Sequence, residues 1–278
     1  MTWHIVADTS CDLFTLEGTE GKIDFATIPF TIRIGEKEFV DDEHISIEDM
    51  LTANENHSEP GQTACPSPED WREKFSASGP VLAFTISSAL SGSYNSACTA
   101  KTMILEEEPE KQIAVIDSRA NGPEITLLIM KAKEMILAGK SFERIEDALV
   151  REAEKVHTVF ALSSYRNLIK AGRVGRLAGF IAGRLGFWGI GVGSDAGEIE
   201  VCGKARGNKG MIRFLVEKIR ETGLAGKEIR VNHCRNREDA ELLRERLEAA
   251  FPGVRVILAQ TRGLDSFYAE RSGLIVAF

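Results

Sequence analysis

Pro80-Val81-Leu82-Ala83-Phe84-Thr85-Ile86 runs without a break into Ser87-Ser88-Ala89-Leu90-Ser91-Gly92-Ser93. The first seven residues form a short, nearly continuous apolar run, the pattern of a strand buried on both faces. The second seven hold four serines and a glycine, and Tyr94 to Leu105 after them reads as a helix. Strand, polar loop and helix in that order make the βα half of a parallel-sheet unit. In an open α/β sheet the ligand lies outside the carboxyl ends of the strands, where this loop sits. Unpaired N–H groups at a helix start favour an anion, and serine hydroxyls add neutral donors. Capping needs only one serine, so Ser87, Ser88, Ser91 and Ser93 together point to a ligand.

The same alternation extends outward in both directions. His4 to Ala7 is a strand that stops at Asp8-Thr9-Ser10, and Gln112 to Ile116 is a strand that stops at Asp117-Ser118. Lys22 to Ile34 alternates and is rich in β-formers. Pro68 to Ser76 is a helix with Ser67 as its N-cap and Pro68 at its first position. Pro123 to Leu137 and Phe142 to Lys155 are two further helices. Strand ends carrying Asp8, Ser10, Asp117 and Ser118 beside the serine loop suggest one shared crevice for a polar head group. The loop Gly61 to Ser67 adds Thr63 as a candidate donor.

Past Val156 the texture changes. Strand Thr158 to Leu162 and a short helix Tyr165 to Lys170 lead into a Gly- and Arg-rich stretch, Gly172 to Gly197. Strand Glu198 to Cys202, helix Asn208 to Glu221, strand Glu228 to His233, helix Arg237 to Ala250 and strands Val254 to Ala259 and Leu274 to Phe278 follow. The expected fold is α/β with two domains. Residues 1–156 form a doubly wound parallel-sheet domain carrying the head-group loops, and residues 157–278 a mixed α/β sheet domain. At roughly 100–200 residues per domain, 278 residues accommodate both.

Composition narrows the function. The chain has 34 basic and 42 acidic residues, a net charge of -8, and no dense basic stripe, so nucleic acid is not an expected partner. The basic residues that do cluster are Arg166, Lys170, Arg173, Arg176, Arg184, Lys204, Arg206 and Lys209; singly they read as a solvated face, together as a place for an anionic partner. Cys11, Cys65, Cys98, Cys202 and Cys234 are odd in number and none has C-x-x-C spacing, which fits reduced thiols in a cytoplasmic protein. The start, Met1 to Ser10, lacks a basic stretch followed by an apolar core, and no apolar run approaches a membrane span of roughly 20 residues.

Several tempting motifs fail. Ala138-Gly139-Lys140-Ser141 imitates the end of a phosphate loop, but Glu134 occupies the place of the leading glycine. Gly189-Ile190-Gly191-Val192-Gly193 has the wrong spacing for a dinucleotide fingerprint, and no G-x-S-x-G elbow exists. None of the five histidines is spaced as a metal pair, and His233 is the one at a strand end. Neither a metal nor a cofactor is expected.

Longer segments resemble the DegV family of bacterial fatty-acid-binding proteins. Ile5 to Leu13 resembles the family's opening strand and acidic-hydroxyl loop; Thr63-Ala64-Cys65-Pro66-Ser67 resembles its T-S-Q-P-S segment. Ser87 to Ala97 resembles S-S-x-L-S-G-T-Y-x-S-A, the most specific match. Val115 to Ser118, Leu168 to Val174 and Lys204-Ala205-Arg206 also agree. The resemblance implies two α/β domains with a long acyl chain buried between and within them, and its carboxylate held by Thr63 and Ser91. It implies that some members present the lipid to a partner kinase as the non-catalytic subunit of a fatty acid kinase. In three places the chain departs from the pattern. Tyr268 stands where the family brings a histidine, Ala64-Cys65 replaces Ser-Gln, and Phe187 to Gly191 replaces I-K-P-I-L. A tyrosine donates one hydrogen bond but brings no positive charge.

The first expectation is therefore a non-catalytic protein that binds a long-chain fatty acid. Thr63, Ser91, Ser88 and Tyr268 would meet the carboxylate, and Arg173 and Arg206 would face a kinase partner. The alternatives are a binding protein or sensor for a different small acid or polar lipid, and a hydrolase with Ser91 or Ser88 as nucleophile.

Overall fold

The computed structural model describes residues 2–59, 61–174 and 186–278. Strand β1 (Trp3–Asp8) is central to an all-parallel sheet in the order β2–β1–β6–β7, with β2 Ile23–Ile28, β6 Val81–Thr85 and β7 Ile113–Asp117. Its strands are apolar on both faces because both are covered. Ile5, Ala7, Leu82, Phe84, Ala114 and Ile116 pack on α4 (Pro123–Leu137) and α5 (Phe142–Glu152). Val6, Val81, Ala83 and Ile113 pack on α2 (Pro68–Phe75) and α3 (Ser93–Glu107). This is the doubly wound sheet expected of the first half.

The second half forms a six-stranded mixed sheet, β10–β9–β8–β13–β11–β12. Its strands are β8 (Thr158–Leu162), β9 (Phe187–Gly193), β10 (Ile199–Arg206), β11 (Glu228–His233), β12 (Arg255–Gln260) and β13 (Leu274–Ala277). Among these six strands β11 and β12 pair in parallel and the other neighbours are antiparallel. The period-two alternation of a strand divides its side chains between two cores. Val159, Ala161, Leu274 and Val276 face α7 (Gly207–Thr222) and α8 (Arg237–Ala250). Phe160, Leu162 and Ile275 face the first half.

That second core also takes Ile32, Ile34, Met50, Leu51, Leu168 and Phe267. They come from β3 (Thr31–Ile34), α1 (Ile47–Asn56), α6 (Arg166–Lys170) and α9 (Gly263–Ala269). A small antiparallel sheet, β4–β3–β5, with β4 Lys37–Val40 and β5 Gln62–Ala64, completes the seam between the halves.

Three local expectations change. The alternating stretch Lys22 to Ile34 is two strands in two sheets: the chain breaks at Pro29-Phe30, and the Phe30 N–H donates to Thr9 Oγ1 at 3.1 Å. A proline cannot donate to a ladder, so the strand ends there. Thr63 lies on β5 and not in a loop, because the Gln62–Ala64 segment pairs with β3, Thr63 opposite Ile32. Helix α9 was not anticipated; it has seven residues, too few for a period of 3.6 to show. Among the described residues no cysteines are bridged, no helix is long and apolar enough to cross a membrane, and no group of His, Cys, Asp and Glu is placed to hold a metal ion.

Candidate ligand-binding site

The serine loop forms a tight turn between β6 and α3. Leu90 and Ser91 N–H groups both donate to the Ser87 carbonyl, at 3.0 and 3.1 Å. Each hydroxyl then has its own direction. Ser87 Oγ donates to the Gly197 carbonyl at 2.7 Å, tying the turn to the β9–β10 hairpin. Ser88 is exposed; its Oγ donates to Asp117 Oδ2 at 2.5 Å and its N–H to Oδ1 at 3.1 Å. Ser93 Oγ donates to the buried Asp8 at 2.6 Å. Ser91 lines the cavity described below, and its Oγ accepts from the Ser93 N–H at 3.3 Å. Three of the four hydroxyls thus serve the architecture.

The other polar groups of the strand ends bond to the fold itself. Asp8 accepts from Ser10, Ser93 and the Ile86 N–H and joins the ends of β1 and β6 beneath the loop. Burial pushes its carboxyl up to about 6 against the pull of those donors. Ser118 is buried and bonds Ala120 in both directions at 3.1 Å, and Asp117 caps Ser88 and the Arg119 N–H. Asp8, Ser10, Asp117, Ser118 and Ser88 are not among the cavity's lining residues.

The cavity opens instead between the serine loop, β5 and α9. It holds about 120 Å³ and is lined by Thr63, Cys65, Ser91, Tyr268, Arg173 and Asp265 together with apolar residues such as Phe30 and Ile86. Thr63 Oγ1 and Tyr268 Oη are 2.8 Å apart, a hydrogen bond between residues 205 positions distant in the chain. Gly61 permits this approach of β5 to α9. A Cβ there would come within 2.7 Å of Phe267 Cε2 and 2.9 Å of the Arg33 carbonyl oxygen. Arg173 is exposed at the cavity, its Nε donating to the Leu90 carbonyl at 2.5 Å and its Nη1 to Ala171 at 2.7 Å. Arg206 lies on β10, exposed, with its guanidinium 5.9 Å from the Phe187 ring centroid. Arg176 and Arg184 lie outside the described residues.

A second chamber of about 30 Å³ adjoins the first and shares Asn121, Leu168, Ile199, Asp265 and Tyr268 with it. Beyond them its walls are Phe160, Leu162 and Ile275, on the seam-facing side of the mixed sheet, and Ala269 of α9. Hydroxyls at one end and an apolar recess at the other suit an amphiphile with a small acidic head. Sequence reasoning missed Asn121 and Asp265; Asn121 Nδ2 donates to Asp265 Oδ1 at 3.1 Å. Three positions after Asp265 on one helix, Tyr268 is brought to the same cavity, a spacing visible only once α9 is known. For the hydrolase alternative, no histidine lines the cavity among the described residues. His233 is buried, its Nδ1 accepting from the Asn236 N–H at 3.3 Å, and burial lowers its pKa.

Comparison with known proteins is consistent along the whole chain. The model of the DegV family, described as a family of uncharacterised proteins, matches residues 2–269. A DegV domain-containing protein of Streptococcus pyogenes is 35% identical over 278 residues, covering 100% of this chain and 99% of the relative. The Fak B3 protein of the Streptococcus pneumoniae fatty acid kinase, solved loaded with linoleic acid, superposes with a TM-score of 0.96. It is 36% identical, over 100% of this chain and 99% of its own. A DegV family protein of Eubacterium eligens, solved loaded with heptadecanoic acid, gives a TM-score of 0.94 at 34% identity, covering 99% of both chains.

Proposed function

The chain belongs to the DegV family, and on that premise we propose that it binds one long-chain fatty acid and presents the carboxylate to a partner kinase. The carboxylate meets Thr63, Ser91 and Tyr268. The observation that carries this reading is the Thr63–Tyr268 hydrogen bond of 2.8 Å at the polar end of a cavity whose other end is apolar. A desolvated carboxylate needs donors or it takes up a proton, and three hydroxyls supply them without a second buried charge.

The tail runs along the seam past Leu168 and Ile199 into the recess bounded by Phe160 and Ile275. The two chambers are small beside the roughly 300–1,000 Å³ of usual ligand clefts. The acyl chain therefore enters by displacing side chains of the second core, in exchange for about 0.8 kcal/mol per buried methylene. Residues 1–156 then act as the domain carrying the head-group loop and residues 157–278 as the domain that encloses the tail. Arg173 and Arg206, both exposed, face an anionic surface of the kinase, in keeping with a cytoplasmic carrier. The likeness to a Fak B3 protein supports the partner, and the bound acids of the two relatives support the ligand class.

Mass spectrometry of lipid extracted from the purified protein tests the reading. A long-chain fatty acid at one per chain is expected. A different small acid or polar lipid at that stoichiometry would overturn it in favour of a related sensor.

A further inference from the structure

Helix α9 carries Tyr268, and buried acids of the first half hold its N-terminal end. Asp41 accepts from the Gly263 N–H at 2.8 Å through Oδ1 and from the Leu264 N–H at 3.0 Å through Oδ2. Arg262, just before the helix, donates from Nη2 to the Asp41 carbonyl at 2.6 Å and from Nη1 to the Leu13 carbonyl at 2.5 Å. Asp12 accepts from the Arg262 N–H at 2.6 Å and from Asn232 Nδ2 at 2.7 Å. Asp265, one turn before Tyr268, receives Asn121 on Oδ1, while its buried Oδ2 meets no N–H donor.

That oxygen lies against Asp12. A Cβ built on Gly122 would sit 2.5 Å from Asp265 Oδ2 and 3.5 Å from Asp12 Oδ2, so the two carboxyls converge over the one residue that leaves room for them. Three carboxyl groups, Asp12, Asp41 and Asp265, are thus buried together with one guanidinium, that of Arg262, which lies 3.6 Å from Asp41 while Asp12 takes only the Arg262 backbone N–H; none of the four is more than 6% exposed. Two adjacent ionised carboxylates in such a place repel strongly; one proton between them turns the repulsion into a hydrogen bond.

We infer that Asp12 and Asp265 hold one shared proton across the seam between the halves, and that this proton seats α9 and so positions Tyr268 for the head group. Asp12 and Asp265 are positioning residues: they act on the ligand through Tyr268. Burial supports the pairing, pushing Asp12 up to about 7, and burial with the Asp12 charge holds Asp265 well above the carboxylate range. The other titratable or charged groups packed nearby are Asp41 and Arg262, with Asp8 and Cys11 on the chain before Asp12. The seated state binds one proton more than a state in which α9 has lifted and both carboxyls are hydrated. Seating therefore weakens as pH rises from the ordinary carboxylate range towards that of the pair, by up to about tenfold per pH unit.

The inference rests on the fatty-acid reading for its ligand but not for its proton, and the test separates the two. Hexadecyl sulfonate keeps its own charge constant across the range. Its Kd is measured from about pH 6 to 8 for the wild type, Asp265→Asn and Tyr268→Phe, with ligand-free urea unfolding of each at the same pH values. Asn at 265 can donate to Asp12 without a titrating proton. The expected result is a wild-type affinity that falls at least about threefold per pH unit, a flat profile for Asp265→Asn, and a smaller pH effect in Tyr268→Phe. Asp12→Asn serves as the second variant should Asp265→Asn not fold. Parallel profiles in wild type and Asp265→Asn, sloping or flat, would overturn the inference. No sulfonate binding by any variant, with the unfolding profiles still differing as expected, would sink the fatty-acid reading and leave the shared proton standing.

Discussion

Tyr268→Phe removes one polar atom and keeps the ring, whose edge-to-face contact with Phe267 has centroids 4.9 Å apart. In the ligand-free chain the loss leaves Thr63 Oγ1 without its 2.8 Å partner. Thr63 and Tyr268 are both only partly buried, so water replaces the missing hydroxyl and stability falls by no more than about 0.5–1 kcal/mol. Binding is affected more. A donor to a largely desolvated carboxylate contributes about 1.5–3 kcal/mol, so the fatty-acid Kd should rise by about tenfold to one hundredfold. Thr63→Val should cost a similar amount. Because the two hydroxyls share a hydrogen bond, the double variant should lose clearly less than the sum of the two. Isothermal titration of delipidated protein with palmitate measures all three, and thermal unfolding confirms that each is folded. A Tyr268→Phe protein with unchanged affinity would refute the reasoning, since the phenol would then not face the head group.

Ser91→Ala should weaken palmitate binding about tenfold or more, while Ser88→Ala leaves it within about twofold, because only Ser91 lines the cavity and Ser88 is spent on Asp117; equal losses in both would put the head group elsewhere in the loop. Burial pushes Glu124, bonded to Thr158, up to about 8, so the native chain keeps a proton that the unfolded chain releases above about 4.5. Its contribution is complete at acid pH and is lost as pH rises towards 8, so Glu124→Gln should shrink the loss of stability between about pH 5 and 8, measured by urea unfolding; an identical loss in the variant would count against it. A Cβ at Gly191 would strike the Phe160 ring, which bounds the tail recess, so Gly191→Ala should narrow it. Titration with acids of different length should show affinity falling more for eighteen-carbon than for twelve-carbon chains, and an equal drop for both would mean that Phe160 yields without closing the recess.

Much of this protein was legible in its residues alone. Buried strands such as Val81 to Thr85 are apolar over nearly their whole length, and a period of two or 3.6 is a local property, so sheet, helix and the Ser67 N-cap could be read in order. The position of Ser91 after β6 and before α3 follows from the same local logic. Which hydroxyls face a ligand does not. Ser87, Ser88, Ser91 and Ser93 are chemically alike, and their roles divide only when Gly197, Asp117 and Asp8 arrive from elsewhere to bond three of them. Likewise Thr63 and Tyr268 meet across 205 positions only because β5 joins β3 and α9 is clasped by Asp41 and Arg262. Nothing in the local sequence sets Asp12 and Asp265 apart from the chain's other acids. Burial beside one another is what changes their chemistry, and burial is a property of the packed chain, since desolvation and repulsion depend on distances that local sequence does not contain.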